Sequence, residues 1–208
     1  MNFIKDAINK MALKQLHYYA QHPEKVTSRD EKTLEKLYGL LCRSLGISES
    51  AKWCIDWTVE KFKDREAYEA HKPYETCVAP QNVVLDNGAN ALLKIIGGVD
   101  NTTPFDADNA YIGVGKDTTP ENASQTKLQD SAAFYKKVES GYPQVSGRTI
   151  VYKATFDTSE ANFAWNEFAI ANGTGVGGIT LNRKVQNLGT KTTGIWSLQI
   201  TISVTSNT

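Results

Sequence analysis

This chain of 208 residues has little cysteine, little histidine and no excess charge of either sign. Its three cysteines, Cys42, Cys54 and Cys77, are odd in number and none forms a CxxC pair. That excludes a self-contained disulfide framework and a cysteine-based zinc site, and suits thiols kept reduced in a cytoplasm. The three histidines, His17, His22 and His71, all precede residue 77. His17 and His22 miss the i, i+4 spacing that puts two metal ligands on one helix face. With no histidine beyond His71, a Ser-His or Cys-His catalytic arrangement has no base to draw on locally. Lys+Arg and Asp+Glu both total 23. A nucleic-acid or anionic-membrane footprint needs a basic excess on some face, so neither partner is expected. No apolar run approaches the roughly 18 residues of a membrane-crossing helix. The opening MNFIKDAINKMALKQL is broken by Lys5, Asp6, Lys10 and Lys14, so no secretion signal is expected.

Two periodicities divide what is present. Over residues 1–76 apolar groups recur at helical spacing. Phe3, Ile4, Ala7, Ile8, Met11, Ala12, Leu16 and Tyr19 predict a first helix, ended by Pro23. Ser28-Arg-Asp-Glu31 reads as a capping box that opens a second, with Leu34, Leu37, Tyr38, Leu41 and Leu45 on one side and Gly46 as its stop. Ser48 is placed to cap a third helix, with Trp53, Ile55, Trp57, Val59 and Phe62 on its apolar side. So small a module leans on a neighbour, and Trp53 and Trp57 are the candidate partner contacts, although filling a helical core is the blander role for both. His71-Lys-Pro-Tyr-Glu75 reads as a linker. Asn82-Val-Val-Leu85 predicts a short strand, and residues 88–97 a short helix closed by Gly97-Gly98.

Beyond residue 105 the period becomes two. Ala110–Gly115, Arg148–Phe156, Phe163–Ile170, Ile179–Val185 and Trp196–Val204 read as strands separated by glycine-, asparagine- and threonine-rich turns. The fold class predicted is α+β: a helical module of about three helices over 1–76, then an antiparallel β-sandwich, jelly-roll or Ig-like, over 77–208.

Several residues invite a chemical reading. Gly173-Thr-Gly-Val-Gly-Gly178 has the look of a phosphate loop, but a strand rather than a helix follows it, so a hairpin loop is the better reading. Asp100, Asp106 and Asp108 could hold calcium, yet further oxygen ligands and a closing glutamate are missing, and Asx turns account for them. Asp157, Glu160 and Glu167 raise the idea of a glycosidase pair. Glu167 lies mid-strand, however, and if buried it needs a cationic partner, for which Arg183 or Lys184 is placed. Trp165, Asn166, Glu167, Arg183 and Lys184 are therefore expected to hold adjacent strands in register. No catalytic residue, cofactor or metal is expected.

From Asn82 onward the chain resembles a family of tailed-bacteriophage virion structural proteins. The runs that carry the resemblance are Asn82-Val-Val-Leu-Asp-Asn-Gly88, Gly97-Gly98, Thr103-Pro-Phe-Asp-Ala-Asp-Asn-Ala-Tyr-Ile-Gly-Val-Gly115, Ser140-Gly-Tyr-Pro143, Ala154-Thr-Phe156, Glu160-Ala-Asn-Phe-Ala-Trp-Asn-Glu-Phe168, Leu181-Asn-Arg-Lys-Val185 and Leu188-Gly-Thr-Lys-Thr192. The resemblance implies no reaction. It implies a virion component made in a host cytoplasm, a capsid decoration or a head- or tail-attached accessory protein, oligomeric and in contact with other virion proteins. A receptor- or glycan-binding fibre module is the alternative. It would need aromatics exposed on loops, for which Tyr135 and Tyr142 are available while Tyr152 alternates into the core. A wall-degrading hydrolase ranks last.

Overall fold

A computed structural model describes residues 51–80, 82–174 and 177–206. The two helices expected before Gly46 lie outside these residues. The third expected helix is instead a strand, β1 (Ala51–Phe62). Ile55, Trp57 and Val59 alternate into the core, so the true period is two. The segment misleads because Trp53 and Trp57 also sit one helical turn apart. Its β-branched and aromatic residues suit a pleated surface better than a helix, and a neighbouring strand is there to pair with. That neighbour is β2 (Glu75–Pro80), antiparallel to β1 with Val59 opposite Cys77 and Lys61 opposite Glu75. A one-turn helix, α1 (Arg65–Glu69), joins them, capped by the Asp64 carboxylate, which accepts from the Ala67 amide at 2.8 Å. Residues Trp53–Thr205 thus form one compact unit, and β1 and β2 carry it back well before residue 77.

The remaining elements are β3 (Val83–Val84), α2 (Asp86–Gly97), β4 (Tyr111–Gly115), β5 (Phe134–Lys137), β6 (Gln144–Ser146), β7 (Thr149–Phe156), β8 (Glu167–Ala171), β9 (Asn182–Val185) and β10 (Ile195–Ser206). They build two five-stranded sheets, ordered β2-β1-β10-β7-β6 and β3-β9-β8-β4-β5. The fold is mostly antiparallel and β-sandwich-like. The predicted strands at 148–156 and 196–204 coincide with β7 and β10. Their register sets Trp196 against Phe156, Leu198 against Ala154, Ile200 against Tyr152 and Ile202 against Ile150. All but half-buried Ile150 are buried. The strand expected over Phe163–Ile170 is shorter: β8 begins at Glu167, and before it Ala164 makes only an isolated bridge to Thr190. The helix expected over 88–97 is α2, ended by Gly98 in the left-handed region (φ 62°), whose amide returns to the Ile95 carbonyl.

Aromatic rings close the core. Trp57 meets Phe168 edge to face at 4.8 Å, joining the first sheet to the second. Trp165 stands between Phe156 at 4.7 Å and Trp196 at 4.9 Å, and its indole N–H donates to the Ala161 carbonyl at 2.9 Å.

Candidate functional site

Strand β4, Tyr-Ile-Gly-Val-Gly, sends Ile112 and Val114 into the core. Its glycines turn the other way and carry a cover. A Cβ on Gly113 would lie 2.7 Å from the Tyr135 ring and 2.9 Å from Leu128, and one on Gly115 would lie 2.6 Å from Glu167 Oε1. Without side chains there, the long loop of residues 116–133 settles directly on the outer face of the second sheet. Buried Leu128 is its apolar foot.

Beneath this loop lies the charged pair. Glu167 Oε2 accepts from Arg183 Nε at 2.7 Å, and both side chains are 0 % exposed. Glu167 also accepts the backbone amides of Gln129 (3.0 Å) and Asp130 (2.7 Å). Arg183 donates further to the Thr119 carbonyl (2.8 Å), Gln125 Oε1 (3.0 Å) and Asp117 Oδ1 (3.3 Å). A buried ion pair holds only if its remaining donors and lone pairs are satisfied, and here the loop supplies them. Glu121 adds a second tie, accepting the Val185 amide at 2.7 Å. The cluster therefore joins β8 to β9 and also fastens the loop to both.

The other residues of the expected cluster serve separate ends. Trp165 is core. Asn166 donates to the Lys116 carbonyl at 2.8 Å and so marks the start of the loop. Lys184 alternates to the opposite side of β9 and reaches Glu121 only at 4.0 Å. Of the two candidate partner contacts, Trp57 is 0 % exposed, which removes it from any surface role. Trp53 is 45 % exposed, at the mouth of an apolar cleft of about 310 Å³ formed with Ile55, Val84, Leu92, Leu93 and Ile96.

Of the carboxylates singled out as chemical candidates, Asp100, Asp106, Asp157, Glu160 and Glu167 are engaged. Asp106 Oδ1 accepts the amides of Asp108 and Asn109, an Asx turn, and Asp100 pairs with Lys94 at 2.9 Å. Glu160 binds Lys136 and the Asp157 amide. Asp157 pairs with Arg65, and its carboxyl is held below the usual range by the Thr158 amide and by that guanidinium. After Gly173 the next strand is β9, in keeping with a hairpin loop. Among the described residues no group of three or more His, Cys, Asp or Glu side chains is placed to hold a metal.

Two buried lysines escaped the sequence reading. Lys61 donates to the Leu188 carbonyl (2.6 Å), pairs with Glu75 (2.9 Å) and sits 4.6 Å from the centre of the Trp196 ring. It continues the odd-numbered inward series of β1, a signal visible once that segment is read with period two. Lys191 donates to the carbonyls of Asp157 (2.6 Å) and Glu160 (2.8 Å) and to Asn162 Oδ1 (2.8 Å). Burial pulls its pKa down while the Glu160 and Asp157 carboxylates oppose the fall. Three acceptors match the three protons of an ammonium, so Lys191 clasps the turn from Asp157 to Asn162. No sequence signal announces it.

Of the aromatics suited to a binding loop, Tyr152 is buried with its hydroxyl on the Phe105 carbonyl at 3.0 Å, and Tyr142 packs on the core. Tyr135 is half-buried and lines a second hollow of about 350 Å³ at the edge of the 116–133 loop. No family model, curated protein or solved structure matches this chain.

Proposed function

We propose that this protein is a non-enzymatic structural component of a tailed-phage virion, a capsid decoration or a head- or tail-attached accessory protein that binds other virion proteins and a second copy of itself. The reading starts from the sequence resemblance of the β-rich region. One structural observation supports it: the apolar cleft between β1 and α2, with Trp53, Leu93 (69 % exposed) and Ile96 (77 % exposed) at its rim. An exposed apolar cleft of this kind is the mark of a surface that is covered in an assembly. Among the described residues the buried charged groups Lys61, Glu167, Arg183 and Lys191 are bound within the molecule, which suits a rigid body that presents fixed surfaces.

The strand order supports a jelly-roll-like winding over an Ig-like one. The last strand, β10, lies between β1 and β7, whereas the last strand of an Ig sandwich pairs with the one before it.

Cryo-electron microscopy of the particle that encodes the chain tests the reading. Density for the β-sandwich arrayed over the capsid or ringed on head or tail is expected, with the Trp53 cleft covered. Absence from purified particles overturns it. The double variant Leu93→Asp/Ile96→Asp is expected to keep the wild-type Tm and to be lost from particles.

A further inference from the structure

Lys191 sits in surroundings unlike those of the other buried lysine. Lys61 gives its protons to a backbone carbonyl and a carboxylate. Lys191, 1 % exposed, touches a side-chain carboxamide: its Nζ lies 2.8 Å from Asn162 Oδ1. The carbon of that amide is one C=O bond, about 1.2 Å, beyond the oxygen. The amide is held in turn, because Asn162 Nδ2 donates to the Thr158 carbonyl at 2.7 Å. The backbone keeps lysine and asparagine together. The Lys191 amide donates to the Phe163 carbonyl at 3.0 Å, beside the Ala164–Thr190 bridge. Between Glu160 and Asn162 stands Ala161, buried and in the left-handed region at φ 48°. That conformation is strained for a residue with a Cβ, and such strain gathers where a fold fixes functional groups. The Ala161 carbonyl is pinned by the Trp165 indole and the Phe163 amide, both at 2.9 Å. The Glu160 carbonyl on one side of Ala161 and the Asn162 side chain on the other thus meet the same lysine.

An amine held against an amide carbonyl can exchange with the amide nitrogen, and the exchange needs no further reagent. We propose that Lys191 and Asn162 join in an intramolecular isopeptide bond. The Nζ lone pair attacks Cγ of Asn162, the Nζ–Cγ bond forms and the Cγ–Nδ2 bond breaks. Starting from the ammonium, Nζ gives up two protons and the departing nitrogen takes up two. One ammonium ion leaves, and nothing is oxidised or reduced. Attack needs the neutral amine, and burial pulls the Lys191 pKa down. The Glu160 carboxylate, whose charge bears on Lys191, is the group at hand to pass the protons. It is bound by Lys136 and the Asp157 amide, which leaves lone pairs to spare. Asn162 is exposed, so the ammonium departs to solvent. A fixed approach replaces an encounter in solution and supplies the rate. The clasp of three hydrogen bonds is the state before the bond closes. Once closed, it ties two points 29 positions apart in sequence and restricts the unfolded chain. The inference does not rest on the virion reading.

The test is intact-mass spectrometry of the full chain, followed by sequencing of its tryptic peptides. The chain is expected to weigh less than its sequence by one ammonia, with Asn162 and Lys191 emerging in a single branched peptide. Asn162→Ala removes the electrophile at an exposed position and leaves the core intact. Lys191→Arg keeps the charge but cannot form the amide. Each variant is expected to show its full sequence mass and no branched peptide. The proposal is overturned if the wild-type chain keeps its full mass after prolonged incubation at mildly alkaline pH, or if the deficit survives in either variant. It is also overturned if the deficit maps to a succinimide at Asn87-Gly88 or Asn172-Gly173 instead of to a branched peptide.

Discussion

Glu167 and Arg183 are where a single side chain decides most. Each is buried without solvent contact, so each depends wholly on its partners. Removing the carboxylate by Glu167→Ala leaves an uncompensated guanidinium under the loop and is expected to cost about 3–5 kcal/mol, read as a fall in the urea midpoint. The double variant Glu167→Leu/Arg183→Met removes both charges and is expected to recover much of that stability. If Glu167→Ala keeps wild-type stability and still loses function, the structural account of the cluster fails. That Glu167 needed a cation was readable from alternation in its strand. That its other partners are backbone amides 37 and 38 residues away was not, because nothing local marks the loop that supplies them.

At the scale of elements, β4 shows how a strand serves two layers. Its valine and isoleucine belong to the core and its glycines to the loop above. Read along the chain, Gly113 and Gly115 look like a strand end and a turn. In the fold they are the close approach that lets Tyr135, Asp130 and Glu167 lie against the sheet. Gly115→Ala is expected to destabilise by about 1–3 kcal/mol, since its Cβ would collide with an immobilised carboxylate. Thermal unfolding checks this, and an unchanged Tm would show that the loop is free to lift. Strand β1 carries the opposite lesson. Its residues fit a helix by spacing and a strand by composition, and only the presence of β2 and β10 alongside resolves the two.

For the whole molecule, the pH dependence of stability follows from groups spread over both sheets. The carboxyls of Asp117, Asp157 and Glu75 are held low by bonds to Thr119, to the Thr158 amide and Arg65, and to the Cys77 thiol and Lys61 respectively. A carboxylate depressed in the folded state stabilises it above the unfolded pKa, near 4, and that contribution is lost as pH falls through the folded value. Burial raises the phenols of Tyr152 and Tyr135 above their ordinary range, so the neutral form is favoured in the fold. Their contribution is full below about pH 10 and lost above it. The Tm is therefore expected to be level between about pH 5 and 9 and to fall on both sides. Tyr152→Phe should flatten the alkaline fall, and Asp157→Asn part of the acid one. A level profile down to pH 2 would contradict the assignment.

Composition and periodicity by themselves determined the β-rich body beyond residue 105, the strands β7 and β10, the helix α2 with its glycine stop, and the need of Glu167 for a cationic partner. These are local matters: period, caps and the cost of an unpaired charge act within a few residues or one strand. The tertiary structure alone decided that residues 51–62 are a strand, that Trp57 is core while Trp53 stays at the surface, and that Lys61 and Lys191 are buried cations. It also decided that a loop roofs the Glu167–Arg183 pair and shapes a hollow beside it. Each of these depends on groups far apart in the chain arriving at one place, and such closeness leaves no period to read.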